Sequence, residues 1–108
     1  MYRKEIEEYI DSHKDQMIED ICTLCRINSE KMPYTEGKPF GKGPFQVLQT
    51  ALTMMENYGF SVRNYDNYVG TADLNDKEAQ LDILAHLDIV PAGEGWTCLL
   101  YTSDAADD

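Results

Sequence analysis

Hydrophobic side chains recur every three or four positions in two stretches of the chain, which is the spacing of an amphipathic helix. The first stretch covers residues 3–27 and is open to a break at Asp11 and Ser12, because either residue can begin a new helix. The second begins at Pro44, which suits the first helical position, and stops at Gly59. We therefore predict two helices, each with an apolar face that packs on a sheet. The apolar face of the second helix consists of Phe45, Leu48, Leu52, Met55 and Tyr58.

The hydrophobic period changes to two after the second helix, as is typical of strands. Residues 60–65 and 68–74 follow this period on either side of the turn sequence Asp66-Asn67, so they predict a hairpin. Residues 81–90 predict a third strand, which is apolar on one face, largely apolar on the other, and therefore buried within a sheet. The order helix, helix, strand, strand, strand predicts an α/β fold in which two helices pack on a mixed sheet.

Two polar residues, His86 and Asp88, share one face of the predicted third strand near its C-terminal end, where ligand crevices form in open α/β sheets. An imidazole that ligates a metal needs its other ring nitrogen held by an acceptor, commonly a carboxylate, and Asp88 could serve His86 in this way. The same pair also fits a hydrogen-bonded structural histidine beside a strand end. From the pair alone, both interpretations stay open.

The residues around this pair form a longer pattern. The segment 83–96, Ile-Leu-Ala-His-Leu-Asp-Ile-Val-Pro-Ala-Gly-Glu-Gly-Trp, resembles the first metal motif of the M20 family of zinc peptidases, and in particular its dipeptidase branch. Pro-Phe-Gly-Lys-Gly-Pro at 39–44 and Asn-Tyr-Asp-Asn-Tyr-Val-Gly at 64–70 are similar to the segments before and after the family's second helix. The resemblance therefore covers about residues 4–97.

This resemblance implies a Zn²⁺ cofactor, with two ions in each active site of the family, and hydrolysis of dipeptides or short peptides by metal-activated water. It implies that His86 ligates one zinc and that Asp88, which we assign to the catalytic set, orients His86. It also implies that the segment 91–96 borders the active-site cleft, with Trp96 as an apolar wall.

Agreement with the family ends at Thr97. We therefore predict that residues 1–97 are the N-terminal portion of an M20-like zinc-peptidase catalytic domain, incomplete as a sheet, and that residues 98–108 are a non-native or disordered tail. The family's acidic ligands, its general-base glutamate and its late histidine have no counterpart in this sequence. Because a hydrolytic zinc site needs three protein ligands, we expect the chain alone to bind zinc poorly and to hydrolyse no dipeptide.

Composition excludes some partners. A net charge of −11 and a pI near 4.4 argue against nucleic acid, which is bound by clustered Lys and Arg. No apolar run is long enough for a membrane span, the N-terminus is charged, and three cysteines are an odd number for a disulfide framework, so we expect a cytoplasmic protein. Cys22 and Cys25 lie within the first helical pattern, and we predict that they are free and face the core.

Two alternatives to a zinc dipeptidase stay open. One is an M20 deacylase that acts on N-acyl amino acids, because substrate choice in the family depends largely on other motifs. The other is a non-catalytic acidic α/β binding module, which has the same strand but has lost the catalytic activity. The sequence does not determine the oligomeric state.

Overall fold

The computed structural model describes residues 1–97, and the predicted tail at 98–108 lies outside the described residues. In chain order the elements are α1 (Arg3–Cys25), α2 (Lys42–Asn57), β1 (Ser61–Tyr65) and β2 (Val69–Asp73). The strands β1 and β2 pair as an antiparallel hairpin, which packs against α2. The predicted α/β class is therefore confirmed, with the hairpin as the sheet in the described part of the chain.

The first helix is continuous over 23 residues, so the break considered at Asp11 and Ser12 does not occur. The Ser12 hydroxyl donates to the carbonyl of Tyr9 at 2.8 Å, a bond that serine makes inside a helix when it does not cap one. Ion pairs from Arg3 to Glu7 and from Lys4 to Glu8, both one helical turn apart, support the exposed first turns.

The prediction that α1 packs on a sheet is wrong for the described residues. No residue of α1 is buried, and the helix contacts α2, where the Tyr58 hydroxyl donates to the Asp20 carboxylate. The prediction that Cys22 and Cys25 face the core is also wrong, since both are exposed, although both are free as expected. The physical reason is size: a two-stranded hairpin has room for one helix, and α2 already packs on it.

The core lies between α2 and the hairpin. The most buried hydrophobic side chains both lie on α2: Val47 is 2% exposed and Leu48 is 9% exposed. Gly70 in β2 comes so close to α2 that a Cβ at this position would lie 2.7 Å from Cδ2 of Leu52. Glycine at this position therefore lets β2 approach α2 closely. Tyr58, which we placed on the packed face of this helix, is instead exposed at its C-terminal end.

A glycine with positive φ lies at each end of α2. The helix begins at Lys42, after Gly41 with φ of 91°, so Pro44 occupies its third position instead of its first. At the other end, Gly59 has φ of 96° and follows the C-cap residue Tyr58, which confirms the predicted stop. The hairpin turn is also confirmed: Asp66 and Asn67 both have positive φ, a conformation that Asn and Asp tolerate better than other side chains.

The predicted third strand does not form within the described residues. The segment 81–90 is exposed throughout and makes one isolated parallel bridge, between Ile89 and Glu30. The apolar pattern predicts burial between neighbouring strands, but β1 and β2 pair with each other and leave this segment outside the hairpin. The mixed-sheet prediction is therefore corrected to an antiparallel hairpin. Within residues 1–97, neither helix combines the length and apolarity needed to cross a bilayer.

Candidate functional site

The structure brings the two predicted site residues, His86 and Asp88, into contact. The imidazole Nδ1 of His86 lies 3.2 Å from Oδ1 of Asp88 and 3.0 Å from the backbone carbonyl oxygen of the same residue. Both Asp88 atoms are acceptors, so the contact requires that Nδ1 carry the ring proton. The Nε2 atom then has a free lone pair, which is the form in which a neutral histidine binds a metal.

Because both side chains are exposed, this contact by itself stabilises the geometry of the pair only weakly. The side chains of His86 and Asp88 are 84% and 54% exposed, and an ion pair or hydrogen bond in water contributes little to holding a geometry. The position of the pair therefore depends on how the backbone of the segment is held.

A buried serine holds that backbone. Ser29 is 2% exposed, and its hydroxyl donates to the carbonyl oxygen of Leu87 at 3.0 Å. Its own carbonyl oxygen accepts from the amide of Ile89 at 3.4 Å. Leu87 and Ile89 are the residues on either side of Asp88, so Ser29 fixes the chain at both flanks of the candidate site.

The residues after the pair form a local turn. The indole N–H of Trp96 donates to the carbonyl of Ala92 at 2.6 Å, which folds the segment 91–96 back on itself. The Trp96 ring is 60% exposed. The prediction that Trp96 forms the wall of a cleft stays a prediction.

The described residues supply part of a metal site. Over residues 1–97, no group of three or more His, Cys, Asp and Glu side chains is close enough to hold a metal ion. His86 has the free nitrogen and the supporting carboxylate of a zinc ligand, yet zinc normally takes three or four protein donors. The described residues thus fit zinc as one donor and do not complete its coordination.

Sequence reasoning missed Ser29. The residue lies in a loop of polar residues, prolines and glycines, where a buried side chain is not expected. The signal that could have identified it is indirect. Gly41 and Gly43 indicate that two backbones approach closely here, and a residue beside such an approach becomes buried. A Cβ on Gly43 would overlap the carbonyl oxygen of Asn28, next to Ser29.

Comparison with known proteins gives relatives that are named dipeptidases. No protein-family model matches the chain. The chain is 36% identical over 93 residues to the Beta-Ala-Xaa dipeptidase of Lactobacillus delbrueckii subsp. lactis, a match that covers 84% of this chain and 20% of that protein. It is 35% identical to a protein of Bacillus subtilis named as a dipeptidase, over 78% of this chain and 19% of that protein. A Staphylococcus epidermidis protein with the same kind of name is 35% identical over 89% of this chain and 20% of its own length.

The matches leave most of each relative uncovered. The chain spans about one fifth of the length of the curated relatives it matches. The same matches cover between 78% and 89% of this chain. The chain is therefore a homologue of bacterial proteins named dipeptidases, and it corresponds to about one fifth of their length.

Proposed function

We propose that residues 1–97 contribute one metal ligand, His86, to the active site of an M20-type zinc dipeptidase that hydrolyses dipeptides or short peptides. The similarity to proteins named dipeptidases supports peptide hydrolysis. The observation that carries the proposal is the contact of His86 Nδ1 with Asp88, because it leaves Nε2 as the metal-binding atom.

In this proposal His86 and Asp88 have distinct tasks. His86 offers Nε2 to the metal, and Asp88 accepts the Nδ1 proton, which fixes the tautomer and makes the imidazole a stronger donor. Bound zinc supplies Lewis acidity toward water and the peptide carbonyl. Asp88 touches neither substrate nor metal, so it is a positioning residue.

The remaining donors of the proposed two-zinc centre, and the general base, are proposed to come from the part of the dipeptidases that this chain does not match. One imidazole leaves a zinc ion without the protein ligands that a hydrolytic site needs. We therefore propose that the 108-residue chain by itself binds zinc weakly and has no dipeptidase activity.

We also propose a cytoplasmic location. Cys22 and Cys25 are exposed and unpaired on the last turns of α1. Free surface thiols are typical of a reducing compartment, whereas the cysteines of secreted proteins are usually paired in disulfides because their environment is oxidising.

A chimera tests the proposal. Residues 1–97 replace the matching fifth of the Lactobacillus delbrueckii dipeptidase, which supplies the rest of an intact protein. We expect the chimera to bind zinc and to hydrolyse a β-Ala-Xaa dipeptide, to lose activity with a chelator, and to regain it with zinc. Hydrolysis is followed by release of the free amino acid, and bound zinc by elemental analysis.

His86→Ala and His13→Ala in the chimera form a matched pair, because the chain has two histidines and both are exposed. His86→Ala is expected to abolish activity and to lower zinc content, while His13→Ala changes neither. Circular dichroism of each variant checks that the fold is intact. Full activity and zinc content in a folded His86→Ala chimera would reject the ligand role and leave the binding-module alternative.

A further inference from the structure

Ser29 is a polar residue with almost no exposure, and it lies outside the His86–Asp88 pair. Its hydroxyl and its carbonyl oxygen bond to the backbone of Leu87 and Ile89, two residues that are 58 and 60 positions away in the sequence. A serine that is buried in this way normally has to satisfy its hydroxyl, and here the partner is the segment that carries the candidate ligand.

The loop that carries Ser29 is itself held firmly against α2. Gly43 packs on the backbone of Asn28, and a Cβ on Gly41 would lie 2.5 Å from Cβ of Met32. The amide of Met32 also donates to the carbonyl of Phe40 at 2.9 Å. Contacts on both sides of Ser29 therefore connect it to the first turn of the helix that forms the core.

From this geometry we infer that Ser29 is a positioning residue: it transmits the rigidity of the α2 core to the His86–Asp88 segment and so sets the orientation of the His86 ring. The inference deepens the proposed function and rests on it for the metal that His86 binds. The physical need is clear from the exposure of the pair, since His86 and Asp88 make too weak a contact in water to hold their own geometry.

Ser29 affects the His86 ring through its hydrogen bonds to the backbone of Leu87 and Ile89. With Leu87 and Ile89 fixed, the carbonyl and carboxylate of Asp88 stay on the Nδ1 side of His86. If the hydroxyl is removed, the carbonyl of Leu87 loses its donor and the segment keeps only the longer Ile89–Ser29 bond and the local contacts. The segment then samples other orientations, and the proton on the His86 ring is no longer confined to Nδ1.

The experiment uses the 108-residue chain without metal, at one pH that is the same for all variants. Long-range ¹H–¹⁵N NMR of the histidine rings reports which nitrogen carries the proton, and amide hydrogen exchange reports the opening of the segment at Ile89. In Ser29→Ala we expect the Nδ1–H form of His86 to lose its dominance and the Ile89 amide to exchange about fivefold faster, as is typical when one hydrogen bond is lost.

Two further variants separate positioning from a general loss of structure. Ser29→Thr keeps the hydroxyl and is expected to restore the tautomer and the exchange rate of the natural chain. Thr23→Ala removes another hydroxyl-to-carbonyl hydrogen bond, to Glu19 on α1, and is expected to leave both readouts unchanged. The ring of His13 is the internal reference for the tautomer measurement.

Each outcome either supports the inference or overturns it. A folded Ser29→Ala chain with the His86 tautomer and Ile89 exchange of the natural protein overturns the inference. If Ser29→Ala loses the amide signals of the hairpin, Ser29→Cys decides, because it keeps the volume with a weaker donor: an intermediate tautomer shift supports the inference and an unchanged one overturns it. Neither readout involves zinc, so a negative result here leaves the chimera test of the proposed function standing, and a failed chimera leaves this result standing.

Discussion

Gly43, the second residue of α2, packs directly on Asn28, so that a Cβ at Gly43 would overlap the carbonyl oxygen of Asn28. Two effects oppose each other at this position. Alanine favours a helix over glycine by roughly 0.5–1 kcal/mol, but the overlap is with backbone, which cannot move aside as a side chain can. We expect the steric effect to dominate, and Gly43→Ala to lower the free energy of unfolding by about 2 kcal/mol. Urea denaturation followed by circular dichroism measures the change.

The control for this substitution is Gln46→Ala, at an exposed position of the same helix. It is expected to change the free energy of unfolding by less than about 0.5 kcal/mol. If Gly43→Ala raised the stability as helix propensity alone predicts, the close packing of α2 on the loop at Asn28 would be wrong.

Val47 is the most buried hydrophobic side chain of the described residues, and it lies on α2. Truncation to alanine removes two methyl groups from this buried side chain and leaves a cavity, which we expect to cost about 2 kcal/mol. Val90→Ala is the matched control, because the Val90 side chain is 79% exposed and has little to lose. Equal effects of the two substitutions on thermal unfolding would contradict the position of the core.

The local structure could largely be predicted from the sequence, because its causes are local. Glycine after the last apolar turn stops α2 at Asn57, and the Asp66-Asn67 turn with flanking alternation forms the hairpin. The prediction of the packed face missed Val47, because the spacing from Phe45 passes through Leu48, whereas both neighbouring side chains are buried. The exposure of α1 was also missed, since an apolar stripe shows that a helix can be covered but not which element covers it.

Asn67 joins three parts of the fold at the hairpin turn. Its side-chain oxygen accepts from Gln49 of α2 and from Asn64, and its side-chain amide donates to the carbonyl of Gly37 at 2.7 Å. Its φ of 64° would suit glycine, so Asn67→Gly relieves the backbone and removes only the side-chain bonds. We expect a loss of about 1–2 kcal/mol in the free energy of unfolding, from bonds that span the hairpin, the helix and the loop.

Asp66→Gly provides the comparison for that prediction. Asp66 also has a positive φ, of 55°, and within residues 1–97 its side chain makes no hydrogen bond that ties the turn to another element. Stability is therefore expected to stay the same or to rise slightly, because glycine adopts this conformation without steric cost. An Asp66→Gly variant as unstable as Asn67→Gly would mean that the turn conformation, and not the Asn67 bonds, limits stability.

Tyr58 and Asp20 provide the contact between α2 and α1 with the clearest pH dependence. The hydrogen bond to Asp20, together with the negative charges of Asp20 and Glu19, raises the pKa of the Tyr58 hydroxyl above its ordinary value of about 10. A raised pKa in the folded state means that the bond stabilises the contact fully below pH 10 and that this contribution is lost as the pH rises through the pKa of Tyr58. We expect amides in the last turns of α1 to exchange faster above that pH.

Substitution of Asp20 tests the cause of the shift. Asp20→Asn removes the charge and is expected to move the pKa of Tyr58 back toward its ordinary value, measured from the ¹³C shift of the tyrosine ring. Asp15→Asn, an exposed aspartate elsewhere on α1, should leave the pKa of Tyr58 unchanged. An unaltered Tyr58 titration in Asp20→Asn would show that the contact between the helices does not depend on this bond.

At the candidate site the sequence predicts which two side chains meet, but not which residue holds their backbone. Alternation placed His86 and Asp88 on the same side of the chain, and the structure has them in contact at Nδ1, although not on a strand. Periodicity predicts which side chains share a face, and His86 and Asp88 meet even though the segment forms no strand. It does not specify the anchor, because Ser29 is brought to Leu87 by a contact between residues distant in the sequence.

Zinc binding by the chain itself gives the most direct test of the His86 assignment. On addition of ZnCl₂ we expect weak, chelator-reversible binding that perturbs the Nε2 side of the His86 ring, since Nδ1 donates to Asp88. Asp88→Ala removes the carboxylate that supports the ring and is expected to weaken the apparent zinc affinity by roughly tenfold, in the range typical of such supporting residues. Asp82→Ala, at another exposed aspartate of the same segment, removes an equal charge without touching the ring and should cause a much smaller change. Equal losses from the two substitutions would show that the acidity of the segment attracts the ion, and that the contact between His86 and Asp88 has no special part in binding it.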